Sequence, residues 1–279
     1  MCILHISDTH SQHRQLSNLP KADIIVHSGD VSMVGTGKEI SIKYWYMSSN
    51  NSNRITFTIT TIGWTMGNIC DFEILLPVGG KAIIEWGDGK HNTYTGEGDW
   101  LSLVHEYPEK DYKMGVSYHV CIIAEDDILG LWIWDGEVDF MDLTVSNCPT
   151  LQYLTCVDIG LTKLDISQNT NLKELDCHNN YYIAELNLDN HYALEVLICK
   201  DNQITALNLT HCNVLRWLVC SNNPLHTIKL SNKSMLAKAI YEDTDLAEKS
   251  KFHLLRTLEK NKQSSCPTLR SAMVEHYFY

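Results

Sequence analysis

Positive charge is what this chain is short of. Twenty-two lysines and arginines stand against 34 aspartates and glutamates, a formal charge of −12. A nucleic acid or an anionic membrane would be met by a basic patch. The basic residues here are scattered, apart from a small group between Lys249 and Lys262, so no nucleic-acid partner is expected. Long apolar runs are lacking too. No stretch reaches the roughly 18 apolar residues of a membrane span, and none is expected. The first residues have neither the basic segment nor the small-residue cleavage site of a secretion signal, so the chain as written reads as cytoplasmic. Among the ten cysteines no two are spaced Cys-x-x-Cys, which leaves zinc poorly supported.

What is present changes character along the chain. Ile3–Ile6 and Ile24–His27 are short apolar, β-rich runs of the kind that form buried parallel strands. A polar break, SSNNSN at 48–53, follows. Beyond it lie strand-length runs rich in Thr, Ile, Val, Trp and Tyr, separated by Gly and Asp turns, as in an all-β sandwich. WGDGK at 86–90 is a tight-turn signal, because Asp-Gly supplies the positive φ that a hairpin needs.

From about Leu131 a repeat takes over. LQYLTC, LKELDC, LEVLIC and LRWLVC begin at 151, 172, 194 and 215, which is 21, 22 and 21 residues apart. A second series runs between them: LTKLDIS at 161, IAELNLD at 183, ITALNLT at 204 and LHTIKLS at 225, with VDFMDLT at 138 as a degenerate earlier member. Asn180, Asn202 and Asn223 each follow the repeat cysteine by three residues, and Ile159 takes that place in the first repeat. This is the pattern of a leucine-rich repeat solenoid, in which each coil buries the apolar row of its neighbour. The tail breaks the period. Phe252, Leu255 and Leu258 have helical spacing there, as in a helix that caps the open end.

Cys156, Cys177, Cys199 and Cys220 share one position in four coils, and Cys148 and Cys212 share a loop position. A disulfide or metal ladder is one reading. The preferred one is a row of small buried hydrophobes. Residues alternating with the inward leucines point outward. Tyr153, Glu174, Val196 and Trp217 form one column, Thr155, Asp176, Ile198 and Val219 the next, then Val157, His178, Lys200 and Ser221. The face is apolar for a solvent surface. Either it recognises a protein or glycan, or the tail, the sandwich or another copy covers it. The candidate partner-binding residues are Tyr153, Asp176, His178, Ile198, Lys200, Trp217 and Val219.

Two resemblances add to this. IIEWGDGK (83–90), VHEY (104–107) and VSYHVCII (116–123) resemble the PKD-like, immunoglobulin-type modules of bacterial surface proteins, which often precede leucine-rich repeats. The likeness implies a spacer or adhesion element without catalysis, at the cell surface or secreted. Asp88 would be a turn former, with calcium binding as the lesser alternative. HISDTH (5–10) and LPKADIIVHSGD (19–30) resemble the opening of the calcineurin-like metallophosphoesterases. That likeness implies Asp8 and His10 as ligands of one metal and Asp30 as a bridging ligand. The family's Gly-Asn-His and Gly-His-x-His motifs are missing, so the set reads as vestigial. No catalytic residue and no required cofactor are expected, only weak binding of manganese, iron or zinc at those three residues.

The expected architecture is mainly β. It has a truncated α/β phosphoesterase-like fragment at 1–46, a PKD-like β-sandwich at 54–130, a solenoid at 131–235 and a helical tail at 236–279. The fragment is either natively expressed or a fusion or gene-assembly product, and in the second case Met47 is the start of the ancestral product. The expected function is non-enzymatic binding, with a metal-dependent phosphoesterase as the alternative.

Overall fold

A computed structural model describes residues 3–7, 24–28, 53–61, 68–108, 116–134 and 138–262. The chain divides into two units, Met1–Ser52 and Asn53–Tyr279. In the first, β1 (Ile3–Ser7) and β2 (Ile24–Ser28) pair in parallel, Ile3 opposite Ile24 and Ser7 opposite Ser28. Asp8, His10 and Asp30 lie outside the described residues.

The second unit opens with strands of strict alternation. In β3 (Asn53–Thr60), Ile55, Phe57 and Ile59 point inward and the residues between them do not. That period of two makes one face apolar, so the strand covers a core on that side only. β4 (Ile69–Leu75), β5 (Lys81–Glu85), β6 (His91–Thr95), β7 (Trp100–Glu106) and β8 (Ser117–Ala124) follow, then β9 (Gly130–Trp134) and β10 (Asp139–Asn147). One antiparallel sheet has the order β10-β3-β8-β5-β6. A β-bulge after Met141, with Asp142 at φ 53°, lets β10 bend along β3.

The remaining strands are the coils. β11 (Tyr153–Val157), β12 (Glu174–Asp176), β13 (Val196–Ile198), β15 (Trp217–Val219) and β17 (Lys238–Ile240) pair in parallel in one sheet. β14 (Ala206–Leu209) and β16 (Thr227–Leu230) pair on the other side of the coils. The parallel sheet does not begin at the first coil. Its order is β17-β15-β13-β12-β11-β9-β4-β7, with β9 bonded to β11 on one edge and antiparallel to β4 on the other. The strands before residue 130 and the solenoid therefore share one sheet.

The leucines stack as the repeat requires. Leu154, Leu175, Leu197 and Leu218 stand opposite one another in register, preceded by Leu131 and Ile74, and all are buried. The buried core runs unbroken from Ile55 to Leu254. In its first half Phe57 meets Phe72 edge-on at 5.3 Å, which locks the two sheets face to face.

Each coil needs a backbone reversal after its strand. Asp158, Asn179, Asp201, Asn222 and Asp243 supply it, all with φ between 50° and 59°. Short Asx side chains tolerate this left-handed region better than other non-glycine residues. The buried asparagines then satisfy the carbonyls of the turn. Asn180 donates to the oxygens of Cys156 and Cys177 at 2.8 and 2.9 Å, and accepts from the Leu161 amide at 3.0 Å. Asn202 and Asn223 repeat these donations one and two coils on.

The tail helix, α1 (Glu248–Asn261), forms where helical spacing predicts it and packs on β16. Its docking face differs from the expected Phe252–Leu255–Leu258 stripe. Phe252 and Leu255 are 68% and 53% exposed, whereas Leu254 and Thr257 are buried and Leu258 packs partly. Two polar ties set the face. The Asn261 amide donates to the oxygens of Ser234 and Leu236 at 3.0 Å each, and the Thr257 hydroxyl is satisfied by the His253 oxygen. With its hydroxyl satisfied, Thr257 can be buried at little cost.

Candidate binding face

The outward side of the eight-stranded sheet carries two rows of side chains that cross the strands in register. One runs Leu75, Gly130, Tyr153, Glu174, Val196, Trp217, Lys238. The other runs Glu73, Trp132, Thr155, Asp176, Ile198, Val219, Ile240. Tyr153, Asp176, Ile198, Trp217 and Val219 thus share one surface, with His178 and Lys200 two residues beyond the ends of their strands' outward columns.

The solenoid end of this face is not the open apolar patch that its composition suggests. Ile198, Val219 and Trp217 are only 3%, 3% and 6% exposed. With Val196 and Ile240 they form a small cluster separate from the main core. Parallel neighbours about 4.8 Å apart close branched and aromatic side chains against one another, so the column buries itself. The Lys238 ammonium sits 4.8 Å above the Trp217 ring and adds a cation–π contact.

The middle of the face is acidic. His178 Nδ1 lies 2.6 Å from Asp176 Oδ1, and the His178 amide donates to the same oxygen. Asp176 Oδ2, closed off from solvent, accepts no hydrogen bond. Burial, then repulsion from Glu195 and Asp176, holds the Glu174 carboxyl above its ordinary pKa. Burial, then Asp99 and Asp71, does the same to Glu73.

The other end of the face, on β7, β9 and β11, is aromatic. Trp100 meets Trp132 edge-on at 6.0 Å and Tyr153 at 6.5 Å, and Trp132 meets Trp134 at 5.9 Å. Trp100 reaches Tyr153 only because Gly130 lies between them. A Cβ on Gly130 would stand 2.5 Å from the Trp100 ring. Reasoning from the coils alone misses Trp100, Glu73 and Trp132. The alternation LWIW at 131–134, aligned on Leu131 with Leu154, places Trp132 and Trp134 outward. Nothing local places Glu73 or Trp100 beside them, because β4 and β7 join the sheet out of chain order.

The other candidates resolve into structure. Asp88 accepts from the Lys90 amide at 3.0 Å, while its second oxygen lies 3.0 Å from His105 Nε2 and 3.4 Å from the Lys90 ammonium. With both oxygens engaged, it serves the turn. His105 stacks on Trp86 at 4.6 Å, and the Tyr107 hydroxyl donates to the Trp86 oxygen. The WGDG and HEY segments thus form one cluster. Gly87 at its corner has φ 82° and no room for a Cβ against the His119 backbone.

Cys156, Cys177, Cys199 and Cys220 are buried and free, as are Cys148 and Cys212. Burial pushes the Cys148, Cys212 and Cys220 thiols up to about 12 and raises Cys156, Cys177 and Cys199 as well. They are inert fillers, neither bridged nor nucleophilic. Among the described residues no three His, Cys, Asp or Glu side chains are grouped to hold a metal ion. No described helix is long and apolar enough to cross a membrane.

Comparison with known proteins finds leucine-rich repeat proteins among solved structures. The functional domain of InlJ from Listeria monocytogenes, described as including a cysteine ladder, is 35% identical over 38% of this chain and 24% of that chain, with a TM-score of 0.35. The Leptospira interrogans leucine-rich repeat protein LIC12759 is 16% identical over 42% of this chain and 43% of that chain, with a TM-score of 0.24. The chain spans less than half the length of either. No family model and no curated protein matches it.

Proposed function

We propose that the chain is a non-enzymatic binding protein of the leucine-rich repeat type, which recognises a protein or glycan through the outward face of its long sheet. One observation carries this reading. Eight strands align their outward residues into a single continuous surface, with half-buried Trp100, Trp132 and Tyr153 at one end. Aromatic side chains with one face open are the usual anchors of recognition. The Trp86–His105–Tyr107 cluster supports the PKD-like reading of residues 54–130, and with it a spacer or adhesion role at a bacterial cell surface. Residues 1–46 carry no part of the recognition in this reading.

The test compares two double variants for binding to a partner captured from host-cell or bacterial-surface extracts. Tyr153→Ala with Lys200→Ala changes the outward face, and Lys163→Ala with Lys229→Ala changes exposed residues elsewhere on the coils. The face variant is expected to bind about tenfold more weakly, the size of an anchor loss, with the other unchanged. Equal binding by both overturns the assignment of the face.

A further inference from the structure

The aromatic end of the face has a chemistry of its own. Glu73 is the direct strand neighbour of Trp132, and Glu174 that of Tyr153. The aromatic group around Trp100, set across Gly130, therefore has a carboxylate on either side. No described ion pair involves Glu73 or Glu174. Lys238 lies over Trp217, and Lys200 lies 3.9 Å from Asp201. Asp176, next in line, has a buried oxygen that accepts no hydrogen bond. Burial first, then Asp99 and Asp71 for Glu73 and Glu195 and Asp176 for Glu174, holds both carboxyls above their ordinary pKa values.

We propose that this end of the sheet receives a basic peptide segment, whose arginine or lysine side chains lie over Trp100, Trp132 and Tyr153, one pairing with Glu73 and another with Glu174. This rests on the reading of the sheet as a recognition face and names the partner's chemistry. A cation over an aromatic face gains from the ring quadrupole, and gains more where water is reduced. A guanidinium also pairs with a carboxylate bidentately through its fork of donors. A neutral sugar would stack on the same rings but leave the repulsion between Glu174 and Asp176 unrelieved. A bare metal ion lacks its ligand set here, since no described group of three ligating side chains is close enough. The chain's charge of −12 steers a basic partner toward it.

The test uses the full chain and a fluorescently labelled peptide of alternating arginine and glycine, with citrulline replacing arginine as the neutral comparison, read by anisotropy. Glu73→Gln with Glu174→Gln preserves side-chain shape and removes two charges. Glu185→Gln with Asp165→Asn removes two charges from exposed positions outside the outward face. The parent is expected to bind the arginine peptide about tenfold tighter than the citrulline one, the scale of a charge-assisted cation–π contact. The Glu73/Glu174 variant should lose about tenfold and the Glu185/Asp165 variant nothing, with melting curves showing all three folded. Trp100→Ala should weaken binding to a similar degree. Equal losses in both double variants would mean general attraction to an acidic protein and overturn the proposal, as would no binding by the parent. Trp100-dependent binding of a neutral N-acetylglucosamine oligomer, without preference for arginine over citrulline, would also overturn it while leaving the recognition face standing.

Discussion

Single residues hold this protein together by answering particular backbone needs. Asn202 donates to the oxygens of Cys177 and Cys199 at 2.9 and 3.2 Å, and adds a bond at 3.1 Å to the Lys200 oxygen, which already accepts from the Asn179 amide. Each such buried acceptor would cost about 1–3 kcal/mol if left unsatisfied. The Asp88–His105 pair is the corresponding device in the sandwich segment. Burial opposes the Asp88 charge, but the Lys90 amide and His105 outweigh it and hold the carboxyl below its ordinary range. Burial also lowers the His105 pKa, against the pull of Asp88. Both groups therefore bind protons more readily in the unfolded chain, so stability is present above the unfolded pKa values and lost as pH falls. The window for His105 opens near its unfolded value of about 6.5, and that for Asp88 near about 3.9. The melting temperature is expected to fall between pH 7 and pH 5, and that fall should be smaller in His105→Gln. Identical pH profiles for parent and variant would show that His105 is not buried in its neutral form.

At the level of elements, the coils were legible because their period is local. The spacing of Leu154, Leu175, Leu197 and Leu218 is visible without coordinates, and one coil fits on the next in only one register. The Asx residues at 158, 179, 201, 222 and 243 carry an equally regular signal of the turns. The tail helix was legible as a helix but not in its facing. Hydrophobic spacing alone favours Phe252 and Leu255, whereas the ties from Asn261 to the Ser234 and Leu236 oxygens turn Leu254 inward. Leu254→Ala is expected to cost about 2–5 kcal/mol in chemical denaturation, as a fully buried leucine does. Phe252→Ala, at an exposed position, should stay within about 0.5 kcal/mol. A larger loss at Phe252 than at Leu254 would reverse the assigned face.

At the scale of the whole second unit, one sheet and one core join what the composition separates. Cys121 on β8 and Cys199 after β13 belong to segments that read as different domains, yet β9 bonds to both β4 and β11. Burial raises both thiols. Alkylation with iodoacetamide across a urea gradient, read by peptide mass, is expected to label Cys121 and Cys199 at the same midpoint. Two separate midpoints would mean that the shared sheet does not couple the halves.

The sequence by itself determined the coil period, the inward leucines, the buried cysteine row and the hairpin at WGDGK, because each depends on neighbours at fixed chain spacing. Only the tertiary structure decided that β4 and β7 extend the solenoid sheet. It therefore also decided that Trp100 and Glu73 stand beside Trp132 and Tyr153. It closed Ile198, Val219 and Trp217 against one another as well. The physical reason is common to all three: strand order and side-chain closure are set by contacts between residues far apart in the chain, and no local pattern encodes which distant strand arrives.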